Sequence, residues 1–369
     1  MSATMNDETT GRLLGAADIR RIAAEAGVSP TKKLGQNFVI DPGTVRRIAR
    51  EAGVNAGTNV LEVGPGLGSL TLALLETGAN VTAVEIDPKL AARLPQTVAE
   101  FMPQAASRLT VVQADALTVT PGLLPGLASG PFTLVANLPY NVATPIVLTL
   151  LERFNGLDRF LVMVQKEVAD RLVASPGSKT YGSPSVKLAW YGHAERAGLV
   201  GRNVFWPAPN VDSALVSFAR CPLMRHDGLM RHESGQPRPT EVPDARTHSG
   251  SRQRRAEPLV PNQPSTEPTS QMASPPAASA EIAARPGMNS QTGFMPTEAL
   301  REQTFRLIDL AFGQRRKTLH AALRDALSAQ DFEKAGIAPT RRGETLTIDE
   351  FAALASAHQP PSSGGARNA

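Results

Sequence analysis

Between residues 59 and 173 the chain alternates short apolar runs with helix-like stretches, and few folds accept that order. Residues 59–63, 80–86, 109–113, 132–136 and 159–164 read as strands. Residues 67–76, 141–153 and 166–173 read as the helices between and after them. Strands so short and so uniformly apolar belong in a parallel sheet covered on both faces, so the expected class is α/β. Upstream, residues 17–26 have helical spacing and stop at Gly27, and Asp41-Pro42 reads as a cap followed by a first-turn proline, opening a helix to about residue 52. Downstream, residues 185–190 and 211–218 read as further strands, the second with Ala214, Val216 and Phe218 on one face.

The composition then changes. From Pro222 to Pro296 the chain holds 12 of its 30 prolines and one aromatic residue, Phe294. Such a segment cannot bury enough apolar area to offset the entropy of ordering it, so a disordered insertion is expected there. Arg252, Arg254 and Arg255 within it read as an incidental basic cluster, with an RNA contact as the alternative. Past it, Phe305, Ile308 and Phe312 recur at i, i+3 and i+7, a core-facing helical stripe, and 314–327, 331–335 and 348–355 read as further helices. The expected division is an N-terminal extension and helix over 1–30, an α/β domain over 31–221, the insertion over 222–296, a small all-helical domain over 297–357 and a tail over 358–369.

A single cysteine, Cys221, excludes an internal disulfide framework and a multi-cysteine metal site, which fits a reducing, cytoplasmic setting with no metal. The start carries Asp7 and Glu8 without an apolar stretch, so no signal peptide is read there. No apolar run approaches the ~20 residues of a membrane span. The net charge of +4 leans towards a polyanionic partner.

Two stretches carry chemistry. Leu61-Glu62-Val63-Gly64-Pro65-Gly66-Leu67-Gly68 joins the first strand of the alternating region to the helix that follows it. Glycines there permit a tight turn and let backbone approach a ligand. Glu85, 17 residues beyond Gly68, closes the next strand, where a carboxylate can accept both hydroxyls of a ribose. This loop alone suits either a dinucleotide or S-adenosyl-L-methionine. Three details favour the second. The spacing is G-x-G-x-G where dinucleotide sites use G-x-G-x-x-G; Asp115-Ala116 follows a strand, where its carboxylate can accept from an adenine amine; and another strand ends in Asn137-Leu138-Pro139-Tyr140. There the amide of Asn137 offers an acceptor to an amino group, Pro139 has no N–H to compete, and Tyr140 offers a flat face to a base. An ordinary strand-ending turn is the alternative for the tetrapeptide by itself.

Together these residues resemble the ribosomal RNA adenine dimethyltransferases, most closely the branch acting on the bacterial small subunit. The likeness runs from about residue 32 to 221 and again from 297 to 355. It includes Lys33-Leu34-Gly35-Gln36-Asn37-Phe38, the Gly64 loop, Glu85-Ile86-Asp87, Asp115-Ala116 and Asn137-Leu138-Pro139-Tyr140-Asn141. It continues in Gln165-Lys166-Glu167-Val168-Ala169-Asp170-Arg171, in 205–213 from Phe205-Trp206-Pro207 onward, and in Ala311-Phe312-Gly313-Gln314-Arg315-Arg316-Lys317. The insertion departs from the family pattern, and Val39 stands where leucine is common. The resemblance implies a Rossmann-like methyltransferase sheet with a C-terminal all-helical domain, and S-adenosyl-L-methionine contacts at Asn37, Val39, Gly64, Gly66, Glu85, Asp115 and Asn137. It implies N6,N6-dimethylation of two adjacent adenosines near the 3′ end of 16S rRNA in the small ribosomal subunit, by a monomer.

An adenine N6 lone pair is delocalised into the ring. Hydrogen bonds from the amine to the Asn137 side chain and the Leu138 carbonyl would turn that lone pair towards the methyl group, with Pro139 and Tyr140 completing the site. The base must leave its stack to be reached. Tyr140 would stack on one face, and Phe205 would close the other unless it is a core aromatic. Lys32, Lys33, Arg315, Arg316 and Lys317 are the expected phosphate contacts, with Lys166 and Arg171 as further candidates. The competing expectations are a large-subunit methyltransferase of the macrolide-resistance type and a ribosome-assembly factor whose catalysis is secondary. A DNA adenine methyltransferase fits less well, because proline usually takes the place of Leu138 there.

Overall fold

In the computed structural model the chain is described over residues 11–29, 37–128, 130–221 and 297–358. The insertion and the end of the tail lie outside these residues. Local signals set most of the boundaries. Helix α1 (Ala16–Glu25) buries Ile19, Ile22 and Ala23 in the same core as the sheet. After the short strand β1 (Phe38–Val39), Asp41 caps α2 (Pro42–Glu51) by accepting from the Thr44 amide at 2.7 Å, with Pro42 in the first turn.

The alternating region follows as β2 (Asn59–Val63), α3 (Ser69–Glu76), β3 (Asn80–Glu85), α4 (Pro88–Phe101), β4 (Leu109–Gln113), β5 (Phe132–Asn137), α5 (Ala143–Arg153), β6 (Leu157–Gln165) and α6 (Lys166–Leu172). The sequence reading assigned nothing to α4. Asp87-Pro88 opens it with the same cap-and-proline signal as Asp41-Pro42, and Pro95 inside it is the kind of residue that usually argues against a helix.

Next come α7 (Ser183–Tyr191), β7 (Gly192–Val200), β8 (Phe205–Trp206) and β9 (Ser213–Arg220). Helix α7 corrects the expectation of a strand over 185–190. Val186, Leu188 and Trp190 alternate as a strand would, but all three are buried because neighbours cover α7 on several sides, which erases the helical period. Pro184 in its first turn was the overlooked signal. The strand β7 was not anticipated.

The large sheet has the order β4-β3-β2-β5-β6-β9-β7, with β4, β3, β2, β5 and β6 mutually parallel and β9 antiparallel to both neighbours. From β2 the chain winds outward through β3 to β4, then returns to β5 on the other side of β2. The connections diverge at that switch point, leaving a crevice beyond the carboxyl ends of β2 and β5. A two-stranded antiparallel sheet pairs β1 with β8.

The C-terminal region is helical: α8 (Glu298–Gly313), α9 (Leu319–Leu323), α10 (Ala329–Ala335) and α11 (Ile348–Ala357). Thr297, Thr318, Ser328 and Thr347 each cap the helix they precede. The helix expected over 314–327 is much shorter, and 314–317 form a turn ahead of α9. The expected stripe on α8 does face packing. Ile308 is buried, Phe305 lies edge-on to Trp190 and Tyr191 of α7, and Phe312 lies edge-on to Tyr181. Aromatic pairs of this kind add about 0.5–1.5 kcal/mol each beyond area burial. Among the described residues no helix is long and apolar enough to cross a membrane.

Candidate active site

The loops leaving β2, β3, β4 and β5 line a cavity that opens to solvent. Gly64 and Gly66 form its floor with φ of 68° and 58°, conformations that L side chains rarely adopt. A Cβ on Gly66 would stand 2.9 Å from Cε1 of Phe38, so the glycine is needed for close approach as well as for the turn. Phe38 belongs to a strap across this loop. The strap is held by the β1–β8 pairing, by the Ile40 amide donating to the Val204 carbonyl at 2.8 Å, and by the Ser69 hydroxyl donating to the Val39 carbonyl at 2.6 Å. Asn37, Phe38 and Val39 therefore form a wall of the cavity.

Glu85 ends β3 almost fully buried. Its Oε2 accepts from the Gly66 amide at 3.2 Å and its Oε1 from the Asp87 amide at 3.0 Å. Each oxygen keeps a lone pair, so the carboxylate can accept two further hydrogen bonds, as a vicinal diol would supply. Burial pushes its pKa above the ordinary range, while the backbone amides pull the other way. Beyond β4, Asp115 uses Oδ1 to accept from the Leu117 amide at 2.9 Å and lines the cavity.

At the end of β5, the Asn137 Nδ2 donates to the Asn37 carbonyl at 3.0 Å. That bond uses one of the two N–H donors of the amide and sets which way it faces. Leu138 is buried, its amide donating to the Met163 carbonyl of β6 at 3.1 Å, and Pro139 lines the cavity beside Gly64. Tyr140 is half-buried with its hydroxyl 2.7 Å from Ser213 Oγ on β9, and it lies outside the cavity wall. Burial raises its pKa, so the phenol stays neutral at physiological pH. Phe205 is 3% exposed in β8, opposite Val39, and the structure does not bring it to the cavity.

The sequence reading missed Ile86, Val142, Ile146 and the inward role of Glu62, all of which line the cavity. Ile86 is 54% exposed next to Glu85, an apolar surface suited to a flat ring. A carboxyl inside the apolar run 59–63 was the available signal for Glu62. Burial pushes its pKa up to about 8, against the opposing hydrogen bond from the Thr71 hydroxyl at 2.6 Å and with help from the charge of Glu85. Glu62 is thus protonated in the folded chain at pH 7 but ionised when unfolded, where 4.5 is its ordinary value. Its contribution to stability is complete below that value and is lost as pH rises towards 8, at up to ~1.4 kcal/mol per pH unit. Glu62→Gln, neutral throughout, is expected to flatten that decline; denaturant unfolding at pH 5 and pH 8 measures it.

Lys32 and Lys33 lie outside the described residues. Arg315, Arg316 and Lys317 sit exposed in the turn between α8 and α9. Arg315 pairs with Glu344 at 2.8 Å and donates to the Lys179 carbonyl, whereas Arg316 and Lys317 meet no acidic side chain among the described residues. Lys166 pairs with Asp170, and Arg171 with Glu167.

The family model described as ribosomal RNA adenine dimethylase matches residues 28–228. The chain belongs to that family. It is 60% identical to the ribosomal RNA small subunit methyltransferase A of Bifidobacterium longum strain NCC 2705, with 96% of each chain covered. It is 48% identical to the protein of the same name from Streptomyces griseus, with 98% of each covered. Among solved structures it is similar to a dimethyladenosine transferase from Plasmodium falciparum (TM-score 0.56, 18% identity, 86% of this chain and 95% of that one). It is similar also to the 23S rRNA methyltransferase ErmE (TM-score 0.52, 22% identity, 87% and 99%). Those two likenesses establish the fold. The protein is an rRNA adenine dimethyltransferase, and its methyl donor is S-adenosyl-L-methionine. The cavity suits that donor: a glycine floor, a buried carboxylate for a diol, an apolar face at Ile86 and a second carboxylate at Asp115.

Proposed function

We propose that this dimethyltransferase acts in the cytoplasm, as a monomer, on two adjacent adenosines in the loop of a hairpin near the 3′ end of 16S rRNA, within the small ribosomal subunit. The observation that carries the chemistry is the Asn137 amide, oriented by the Asn37 carbonyl at the edge of the donor cavity. The small-subunit target is supported by the full-length likeness to relatives named as small-subunit methyltransferases.

S-adenosyl-L-methionine supplies an electrophilic methyl group on a good leaving group. Asn37 and Val39 of the strap and Gly64 and Gly66 of the loop would hold it, with Glu85 accepting from its ribose and Asp115 from its adenine amine. Asn137 Oδ1 and the Leu138 carbonyl accept hydrogen bonds from the adenosine N6 amine, drawing its lone pair out of conjugation. The nitrogen becomes cationic on accepting the methyl group and then releases a proton to solvent, so positioning of this kind removes several kcal/mol of barrier without a strong base. Tyr140, steadied by Ser213, stacks on the extruded base. Phe205 closes the opposite face only if β8 shifts from its place against Val39. Arg315, Arg316 and Lys317, with Lys32 and Lys33, contact phosphates.

Incubating the enzyme with labelled S-adenosyl-L-methionine and either unmethylated small subunits or large subunits tests the target. Label is expected as dimethyladenosine in 16S rRNA alone, and label in the large subunit overturns the assignment. Replacing Arg316 and Lys317 by alanine is expected to weaken subunit binding and lower the slope of log affinity against log salt by about two.

A further inference from the structure

Helix α5 starts just after the Asn137–Tyr140 motif, and Val142 and Ile146 at its beginning line the donor cavity. Its other end, about 16 Å away at 1.5 Å per residue, is fastened from two sides. The buried guanidinium of Arg220 donates to the Leu151, Phe154 and Leu157 carbonyls at 2.8, 3.1 and 2.7 Å, tying the end of the helix to the start of β6. On the same end, Glu152 accepts from Arg301 Nη2 at 2.8 Å.

Arg301 belongs to the other half of the protein. It sits in the first turn of α8 with its side chain only 7% exposed, pairing also with Glu298 and donating to the Tyr191 hydroxyl at 3.4 Å. Arg220 lies over the ring of that tyrosine, 5.5 Å from its centroid. Sixteen residues long, α8 then runs to the turn that carries Arg315, Arg316 and Lys317. One rigid helix thus leads from the catalytic motif to the Glu152–Arg301 contact, and a second leads from that contact to the basic turn. From Ile146 onward in α5 and ahead of Gly313 in α8, neither helix has a proline or glycine at which to bend. Pro145 lies in the first turn of α5, ahead of the rigid part.

We propose that Arg301 is a positioning residue for methyl transfer. By locking α8 to α5 it sets the span between RNA held at the basic turn and the adenosine presented to Asn137. This rests on the reading of residues 315–317 as an RNA contact. A buried guanidinium is not required merely to attach the helical region, because Lys187 and Ser183 of α7 already bind Asp309 of α8, and the Tyr181 hydroxyl binds the Leu346 carbonyl. What Arg301 adds is a direct tie to the helix that leaves the catalytic motif.

The test compares Arg301→Lys and Glu152→Gln with the parent enzyme on unmethylated small subunits at saturating S-adenosyl-L-methionine. Glu152 is half-exposed, so its variant is expected to fold even if the Arg301 variant does not. Expected for both are a fall in kcat per folded molecule of about tenfold, an accumulation of monomethylated adenosine, and subunit and donor affinities within about twofold of the parent. A purely structural clasp would lower the melting temperature and leave kcat per folded molecule intact, and that result overturns the proposal. The Arg316→Ala, Lys317→Ala protein, run alongside, judges the reading beneath it. Parental subunit affinity in that protein removes the RNA contact and the relay with it. Weakened binding there, with parental kcat in Glu152→Gln, removes the relay alone.

Discussion

Asn137→Ala is expected to lower kcat at least about 100-fold while RNA affinity stays close to normal. The amide has two jobs. In the proposed mechanism its oxygen accepts from the reacting amine, and its nitrogen ties β5 to the strap through the Asn37 carbonyl at 3.0 Å. Alanine removes both, so a smaller loss of donor affinity should accompany the loss of turnover. The phosphate contacts proposed in the turn after α8 are untouched and should continue to hold the subunit. Asn137→Asp provides the control. It keeps an acceptor, but sets a carboxylate oxygen against the Asn37 carbonyl oxygen, so it should also fail to position the base. Single-turnover methylation at saturating donor, with filter binding of subunits, separates the effects. Parental turnover in Asn137→Ala would remove the proposed role altogether.

Gly66→Ala is expected to weaken S-adenosyl-L-methionine binding at least about tenfold and to lower stability by roughly 1–2 kcal/mol. The φ of 58° accounts for the strain, and the new methyl group would meet the Phe38 ring at 2.9 Å. Phe38 cannot simply swing aside, because its neighbours are paired with β8 and Ser69 holds the Val39 carbonyl. The displacement therefore passes to Asn37 and Val39, which are donor contacts in the proposed site. Adding Phe38→Leu to Gly66→Ala should recover part of the donor affinity and little of the stability, since the strain in φ remains. Calorimetric titration with the donor and thermal unfolding measure the two quantities. Unchanged donor affinity in the single variant would show that the strap does not shape the pocket.

Much of this site was legible because its signals are local. A glycine with positive φ follows a strand, a carboxylate ends the next strand, and Asn-Leu-Pro-Tyr ends another; each is recorded within a few residues of sequence. The same holds for the cap at Asp41. The false strand over 185–190 shows where local reading stops. Its apolar alternation is real, but it arises from a helix covered on several sides, and periodicity cannot register what covers a helix. Arg315–Lys317 were correctly found to be a basic cluster but were placed on a helix, because a run of good helix formers does not reveal the turn that Thr318 enforces by capping α9.

By itself, then, the sequence determined the α/β class and the family, and it pointed to the glycine loop and the amide proposed here as donor and acceptor sites. Only the tertiary structure decided how these groups face one another. It turned the Asn137 amide with a carbonyl 100 residues away, laid Phe38 over Gly66, withdrew Phe205 into the core and tied α5 to α8 through Glu152 and Arg301. The physical reason is the range of the interactions. Turn conformation and capping are settled by near neighbours, whereas side-chain orientation in a packed interior depends on partners the chain brings together only when it folds.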